Sequence, residues 1–339
     1  MGTSKEAIEW FTSYLTGRKQ SVRIGCETSE SGLVSYGVPQ GSILGPTLFN
    51  IYINDLPSVP EVGSLECYVD DSQLHLSFPV HDTTLAADQL TEDLRNIAAW
   101  CCKNSLLINP DKTKLLVLGT PQMLMKIPDD LSITLLSKKI ISSKSAKNLG
   151  VTMDCSLTYD EHVTQVTSKC IGSLCQINRV KYLFDRRTLI TKINSLVFSK
   201  LLYCSSVWAR ENEKHELLQT VQNLAARIVS GTRKFDHVTP ILKQLQWLPI
   251  IKQLAVRDAT MVFKCLNGLT PPYLCHKFKT RSEVHNCNTR NRDRIHIPLC
   301  RTAADQRAFT FRGEKLSNSL PDEFQSITNL DLFKVTEIK

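Results

Sequence analysis

Two adjacent carboxylates, Asp70 and Asp71, stand in the stretch Tyr68-Val69-Asp70-Asp71, between two segments of alternating hydrophobicity. Leu65, Cys67 and Val69 alternate before the pair, and Leu74, Leu76 and Phe78 alternate after it. A period of two predicts a β-hairpin with one side on a core, and Asp70-Asp71-Ser72 supplies residues suited to a tight turn. Carboxylates held at such a tip can grip a divalent metal through hard oxygen ligands, as magnesium-dependent phosphoryl transfer requires. The alternative is a solvated turn without chemistry. Upstream, Tyr36-Gly37-Val38-Pro39-Gln40-Gly41-Ser42 predicts a loop in which Gly37 and Gly41 reach conformations closed to other residues and Pro39 stiffens the path.

The elements that must position these residues follow from periodicity. Residues 4–15 predict a short helix whose apolar side is Ile8, Trp10, Phe11 and Leu15, with Trp10 and Leu15 as core. A strand is expected over Arg18–Ile24. Pro46 suits the first turn of a helix running to about Leu56. Asp82 can cap a helix from Thr83 to about Lys103, with Leu90, Leu94, Ile97 and Cys101 as a core stripe. Short strands are expected over Leu115–Leu118, Ile133–Leu136, Lys138–Ile141 and Lys147–Met153. From Tyr159 onward the pattern turns helical. Val163, Val166, Cys170, Leu174 and Ile177 form one stripe; Asp185 can cap a helix over Thr188–Cys204; His215–Val229 ends at Ser230-Gly231; a further helix is expected near Ile251–Leu266.

Composition bounds the possibilities. The 339 residues are 42% hydrophobic and 22% charged, ample for a core. No apolar run is long enough to cross a membrane, and the first residues lack a secretory apolar segment. The 12 cysteines are scattered without CxxC spacing, which predicts reduced, mostly buried thiols in an intracellular setting, nuclear or cytoplasmic and not secreted. Cys275, His276, His285, Cys287, His296 and Cys300 are potential zinc ligands, but their spacings match no standard finger. The net charge of +8 is compatible with a polyanionic partner. From Lys277 to Lys315 there are ten Lys or Arg against four Asp or Glu, a segment suited either to phosphate contacts or to plain solvation.

The order of a Gly-Val-Pro-Gln-Gly-Ser loop, an apolar helix and an aromatic-Val-Asp-Asp hairpin resembles the reverse transcriptases of non-LTR (LINE-type) retrotransposons. Gly37 to Pro46, continuing through Phe49 to Pro57, is similar to that family's second palm motif, and Tyr68-Val69-Asp70-Asp71 to its catalytic hairpin. The resemblance implies an α+β fold: a partial polymerase palm with an antiparallel hairpin and helices, then an α-helical thumb and a helical C-terminal extension. It places the palm at residues 1–158, the thumb-like region at 159–235, and a basic extension of undefined role at 236–339.

Residue roles follow by the same resemblance. Asp70 and Asp71 would hold Mg2+ or Mn2+, given a further upstream carboxylate. Gly37, Pro39, Gln40, Gly41 and Tyr68 would face the nucleotide and template. Lys112, with Lys114 on the same strand side, would be a general acid for the leaving pyrophosphate. Leu149 and Gly150 would grip the primer end. His162 is expected to pack or cap, and Asp55 matches no family ligand. The implied partners are an RNA template, a DNA primer and dNTP. The family's remaining catalytic Asp and its fingers are expected upstream of the helix at residues 4–15, so this chain corresponds to the C-terminal part of a polymerase and is expected to be inactive alone. A non-enzymatic nucleic-acid-binding remnant of a retroelement is the other reading.

Overall fold

Ser4 accepts the Ala7 N–H at 3.3 Å and so starts the first helix, α1 (Lys5–Leu15). The computed structural model describes residues 2–209, 214–285, 292–321, 327, 329, 330 and 333. The chain divides into two units, one of residues 1–113 and 131–141, the other of residues 114–130 and 142–339.

In the first unit α1 departs from expectation. None of its residues is buried, and Trp10, expected in a core, is 53% exposed. With no described element packed over it, the indole stacks on Tyr14 instead, with ring centroids 5.4 Å apart. The strand expected over Arg18–Ile24 is broken into exposed two-residue pieces, Lys19–Gln20 and Arg23–Ile24, that pair locally with Gly32–Leu33 and Glu27–Thr28. Helix α2 (Gly45–Tyr52) stops earlier than expected, and a 3-10 turn over Leu56–Ser58 follows it. The hairpin strands are β1 (Ser64–Tyr68) and β2 (Asp71–His75). Behind them runs α3 (Thr83–Lys103), whose bounds agree with the periodicity. Asp82 occupies the N-cap position but its side chain makes no cap bond.

The core of this unit is small. Ile53, Leu56, Leu65, Ile97 and Cys101 are buried together, with Phe49 and Trp100 against them. Burying each Leu or Ile contributes roughly 1.5–3 kcal/mol, so this cluster ties α2, β1 and α3 into one support. Strands β3 (Ser132–Leu135) and the first part of β4 (Lys138–Ser143) form a second hairpin, which rests on α3 through Thr91, whose hydroxyl accepts the Thr134 N–H at 3.3 Å.

The second unit is mostly helical. Its hairpin, β5 (Ser145–Asn148) with β6 (Val151–Asp154), turns at Leu149–Gly150, where periodicity alone predicted one strand over Lys147–Met153 and the resemblance implied a hairpin. The strand expected over Leu115–Leu118 shortens to Leu115–Leu116, parallel to the end of β4. Then come α4 (Asp160–Val180) and α5 (Arg186–Ile193), the latter capped by Asp185 as expected. The helix expected to continue to Cys204 instead passes into a π-helical turn, Asn194–Phe198. Helix α6 (His215–Ser230) ends at Gly231, whose left-handed φ of 73° suits glycine. Helix α7 (Ile250–Leu266) and the C-terminal helix α8 (Phe309–Ser319) complete the described elements used below. Leu174, Ile193, Val197 and Leu201 are fully enclosed in the core where α4, the π-helical turn and α6 meet.

No described helix is long and apolar enough to cross a membrane. None of the described cysteines is bridged, and contrary to the expectation of mostly buried thiols, among them just Cys101, Cys170 and Cys265 are buried, the others lying at or near the surface of their elements. His285 and His296 meet edge to face at 5.4 Å, while Cys287 lies outside the described residues.

Glu314 on α8 is 2% exposed, and its Oε2 has no hydrogen-bond partner. Burial raises its carboxyl from 4.5 to about 7. The folded state therefore binds a proton more tightly than the unfolded chain, and stability is lost as pH rises from 4.5 to about 7. Glu314→Gln is expected to stabilise the protein by about 2 kcal/mol at pH 8 and to change little below pH 4.5. Urea unfolding at the two pH values checks this, and an equal effect at both would contradict it.

Candidate active site

The hairpin turns in two residues, Val69 and Asp70, rather than across Asp70-Asp71-Ser72. Tyr68 pairs directly with Asp71, which makes Asp71 the first residue of β2 and leaves Asp70 at the tip. The difference lies in Val69, whose φ of 55° supplies the left-handed step of the turn. A β-branched residue in that region is strained by about 1–3 kcal/mol and persists only where its surroundings over-determine it. Inward-facing Leu65 and Leu74 are opposite each other in the ladder and supply that constraint. Asp70, Asp71 and the 66%-exposed Tyr68 all face solvent.

Below the tip, the hairpin is anchored by a residue absent from the sequence expectations. Asp93 on α3 is 1% exposed. Its carboxylate accepts the backbone N–H groups of Glu61 and Gly63 at 2.7 Å each and of Val62 at 3.4 Å. These amides lead directly into β1, so Asp93 fixes where the strand begins. A Cβ at Gly63 would lie 2.8 Å from Leu74 Cδ1 and 3.0 Å from Asp93 Oδ2, so glycine lets both side chains close over the start of the strand. The available signal was an acid on the buried register of α3, in line with Ala86, Leu90, Ile97 and Cys101.

The loop at residues 37–41 takes the conformation its glycines allow, with φ of 74° at Gly37 and 76° at Gly41. Arg18 donates to the Gly37 carbonyl at 2.5 Å, and Ser42 N–H donates to the Pro39 carbonyl at 3.2 Å. Ser42 then accepts the Gly45 N–H at 3.1 Å, which turns the chain into α2. Gln40 is exposed. Thus the loop reaches the hairpin's core through α2, whose Phe49 and adjoining Ile53 pack with Leu65. Asp55 is structural, accepting the Trp100 indole N–H at 3.3 Å. Lys112 stands exposed in the turn after α3 and not on a strand, beside Asp111, which pairs with Lys138.

Leu149 and Gly150 lie in the second unit, both with left-handed φ, 44° and 87°. The Tyr203 hydroxyl donates to the Leu149 carbonyl at 3.0 Å, and its ring leaves only 3.2 Å for a Cβ on Gly150. His162 packs as expected: it is 4% exposed, its Nδ1 accepts the Thr152 N–H at 3.2 Å, and its ring meets Trp208. Burial, helped by Lys169 and Lys147, holds its pKa below the ordinary 6.5. Asp154 organises the segment after β6, accepting from Ser156, Thr158 and Tyr159 N–H groups. Burial alone would raise this carboxyl, but those donors outweigh it and hold it below the usual carboxylate range.

Among the described residues, no group of three or more His, Cys, Asp or Glu side chains could hold a metal ion. Asp70 and Asp71 therefore offer a hard-oxygen but partial donor set.

The strained hairpin carries two exposed carboxylates and is joined through α2 to the Gly37–Gly41 loop. Residues 1–153 match the family model described as reverse transcriptase (RNA-dependent DNA polymerase). Over 259 residues the chain is 27% identical to the probable RNA-directed DNA polymerase from transposon BS of Drosophila melanogaster, covering 72% of this chain and 28% of that protein. It is 26% identical to the probable RNA-directed DNA polymerase from transposon X-element of Drosophila melanogaster, covering 71% and 27%. It is 28% identical to the RNA-directed DNA polymerase from mobile element jockey of Drosophila funebris, covering 67% and 25%. No solved structure matches. The chain thus resembles the RNA-directed DNA polymerase of a LINE-type retrotransposon, and it spans about a quarter of the length of these relatives.

Proposed function

We propose that this chain supplies the palm, thumb and C-terminal extension of an RNA-directed DNA polymerase acting inside the cell, in the nucleus or cytoplasm. The observation that carries the reading is the exposed Asp70–Asp71 pair on a braced hairpin, joined through α2 to the Gly37–Gly41 loop. Asp70 and Asp71 would hold Mg2+ or Mn2+ together with a further carboxylate, which no described residue supplies. The bound ion would stabilise the attacking and leaving oxygens of phosphoryl transfer.

The chain's own residues divide the remaining work. Gly37, Pro39, Gln40 and Gly41 present backbone and amide groups to the nascent base pair, and Tyr68 lies beside it. Lys112 donates a proton to the leaving pyrophosphate. Leu149 and Gly150 contact the primer end, where a glycine lets backbone approach the strand closely. The substrates are dNTP, an RNA template and a DNA primer.

Two measurements test this. Mn2+ binding to the chain is expected to fall at least tenfold in Asp70→Asn. Binding of an RNA–DNA hybrid with a recessed primer end is expected to weaken with salt, as counterion release demands. Unaltered Mn2+ binding in the variant would remove Asp70 from the metal site. The partial donor set favours a second reading, a nucleic-acid-binding protein without catalysis. Magnesium-dependent primer extension that Asp70→Ala abolishes would rule out this second reading, whereas hybrid binding without extension supports it.

A further inference from the structure

The C-terminal extension makes long-range contacts that converge on one small hairpin. Arg307 donates to the Ser156 carbonyl at 2.6 Å, across 151 residues of sequence. Ser156 lies two residues beyond β6, in the segment that Asp154 organises. A second route runs through residues 203–208. Arg312 on α8 pairs with Asp258 on α7 at 3.0 Å and donates to the Ser206 carbonyl at 2.7 Å. Arg257 on α7 donates to the Ser205 hydroxyl at 3.2 Å. From that short segment Tyr203 reaches the Leu149 carbonyl and covers Gly150.

The hairpin needs such support. Leu149, Leu157 and Tyr159 all hold left-handed backbone, with φ of 44°, 52° and 58°. Each such residue stores strain of about 1 kcal/mol or more and persists only where the surroundings dictate it. The turn at Leu149–Gly150 is also exposed, so little apolar burial holds it. Val151 is buried in the core and His162 holds Thr152, but the turn itself depends on polar anchors, and those distant in sequence come from α7, α8 and Arg307.

We propose that Arg257, Arg307 and Arg312 brace the β5–β6 hairpin, with Arg307 as a positioning residue that holds the Leu149–Gly150 turn for the primer end. This assigns the extension a role in polymerisation itself. It rests on the reading of that turn as a primer contact, but the mechanical part stands apart from it. Arg307 acts through Ser156 and β6 and touches no nucleic acid.

Amide hydrogen exchange on the full chain tests the brace directly. In Arg307→Ala, amides of residues 145–152 are expected to exchange about tenfold faster while those of α6 are unchanged. Arg307→Lys, which keeps a donor near Ser156, is expected to restore exchange to within about threefold of wild type. Tyr203→Phe removes only the exposed hydroxyl that bonds Leu149, and it reports on the turn should Arg307→Ala fail to fold; about threefold faster exchange at residues 149–152 is expected. Unchanged exchange in the hairpin, or equal acceleration in α6, overturns the brace. Affinity for the recessed RNA–DNA hybrid is expected to fall about fivefold in Arg307→Ala, with the same slope of log affinity against log salt. A slope reduced by about one would show that Arg307 contacts a phosphate itself, which also overturns the proposal. Failure of wild type to bind the hybrid overturns the primer reading of the turn, while the exchange data decide the brace on their own.

Discussion

Asp93→Ala is expected to destabilise the first unit by about 3–4 kcal/mol, among the largest effects of any single substitution in this chain. The residue is not at the hairpin tip, yet it accepts three backbone N–H groups at the base of β1. Alanine removes every acceptor at once. The part-buried donors of Glu61 and Gly63 would then lose their acceptor, and an unsatisfied donor costs up to about 1–3 kcal/mol when fully buried. Asp93→Asn offers a single carbonyl oxygen and turns an NH2 toward another donor, so it is expected to recover less than half of the loss. Urea unfolding gives the free energies, and hydrogen exchange at Leu65–Tyr68 locates them. Protection of those strand amides at the wild-type level in Asp93→Ala would show that the hairpin does not depend on this anchor. On the proposed reading, a frayed β1 would leave Asp70 without a fixed position, and loosely held ligands bind metal poorly.

Asp258→Ala is expected to cost about 4 kcal/mol in the second unit. The pair with Arg312 is largely enclosed, with side-chain exposures of 7% for Asp258 and 18% for Arg312. Burial raises the Asp258 carboxyl above its ordinary value, and the attraction of Arg312 only partly offsets this. The intact pair therefore adds no net stability of its own, and the large loss comes from removing the carboxylate that faces the buried Arg312 guanidinium. Asp258→Leu combined with Arg312→Met removes both charges and is expected to regain most of the stability. Stability regained in that way should not be accompanied by an intact β5–β6 hairpin, because the bond from Arg312 to Ser206 is gone. If the double variant were as unstable as Asp258→Ala, the uncompensated-charge account would be wrong.

Local patterns carried much of what the sequence determined by itself. The alternation around Leu65 and Leu74 placed the hairpin, and the 3.6-residue stripe on α3 set its limits at Thr83 and Lys103. Gly37, Gly41 and Gly231 marked the places where left-handed backbone occurs. These features depend on a few neighbouring residues, so a linear string records them. The order of loop, helix and acidic hairpin was legible in the same way, because chemistry at a tip needs particular residues at particular spacings.

Tertiary structure decided what lies on the other side of each element. Val69 was an inward-facing strand residue by alternation, and only the register of Tyr68 with Asp71 moved the turn onto it. Trp10 satisfied an apolar stripe, but nothing described packs there, so it remains exposed. Asp93 and Asp258 each sit on the buried register of an apolar helix, where a periodic reading expects a hydrophobic side chain. Their partners are backbone amides 30 or more residues away and an arginine on another helix. A buried carboxylate is tolerable only when a distant donor meets it, and the identity of that donor is settled by packing in three dimensions. The residues that could do chemistry were written locally; the groups that hold them still were assembled by the fold.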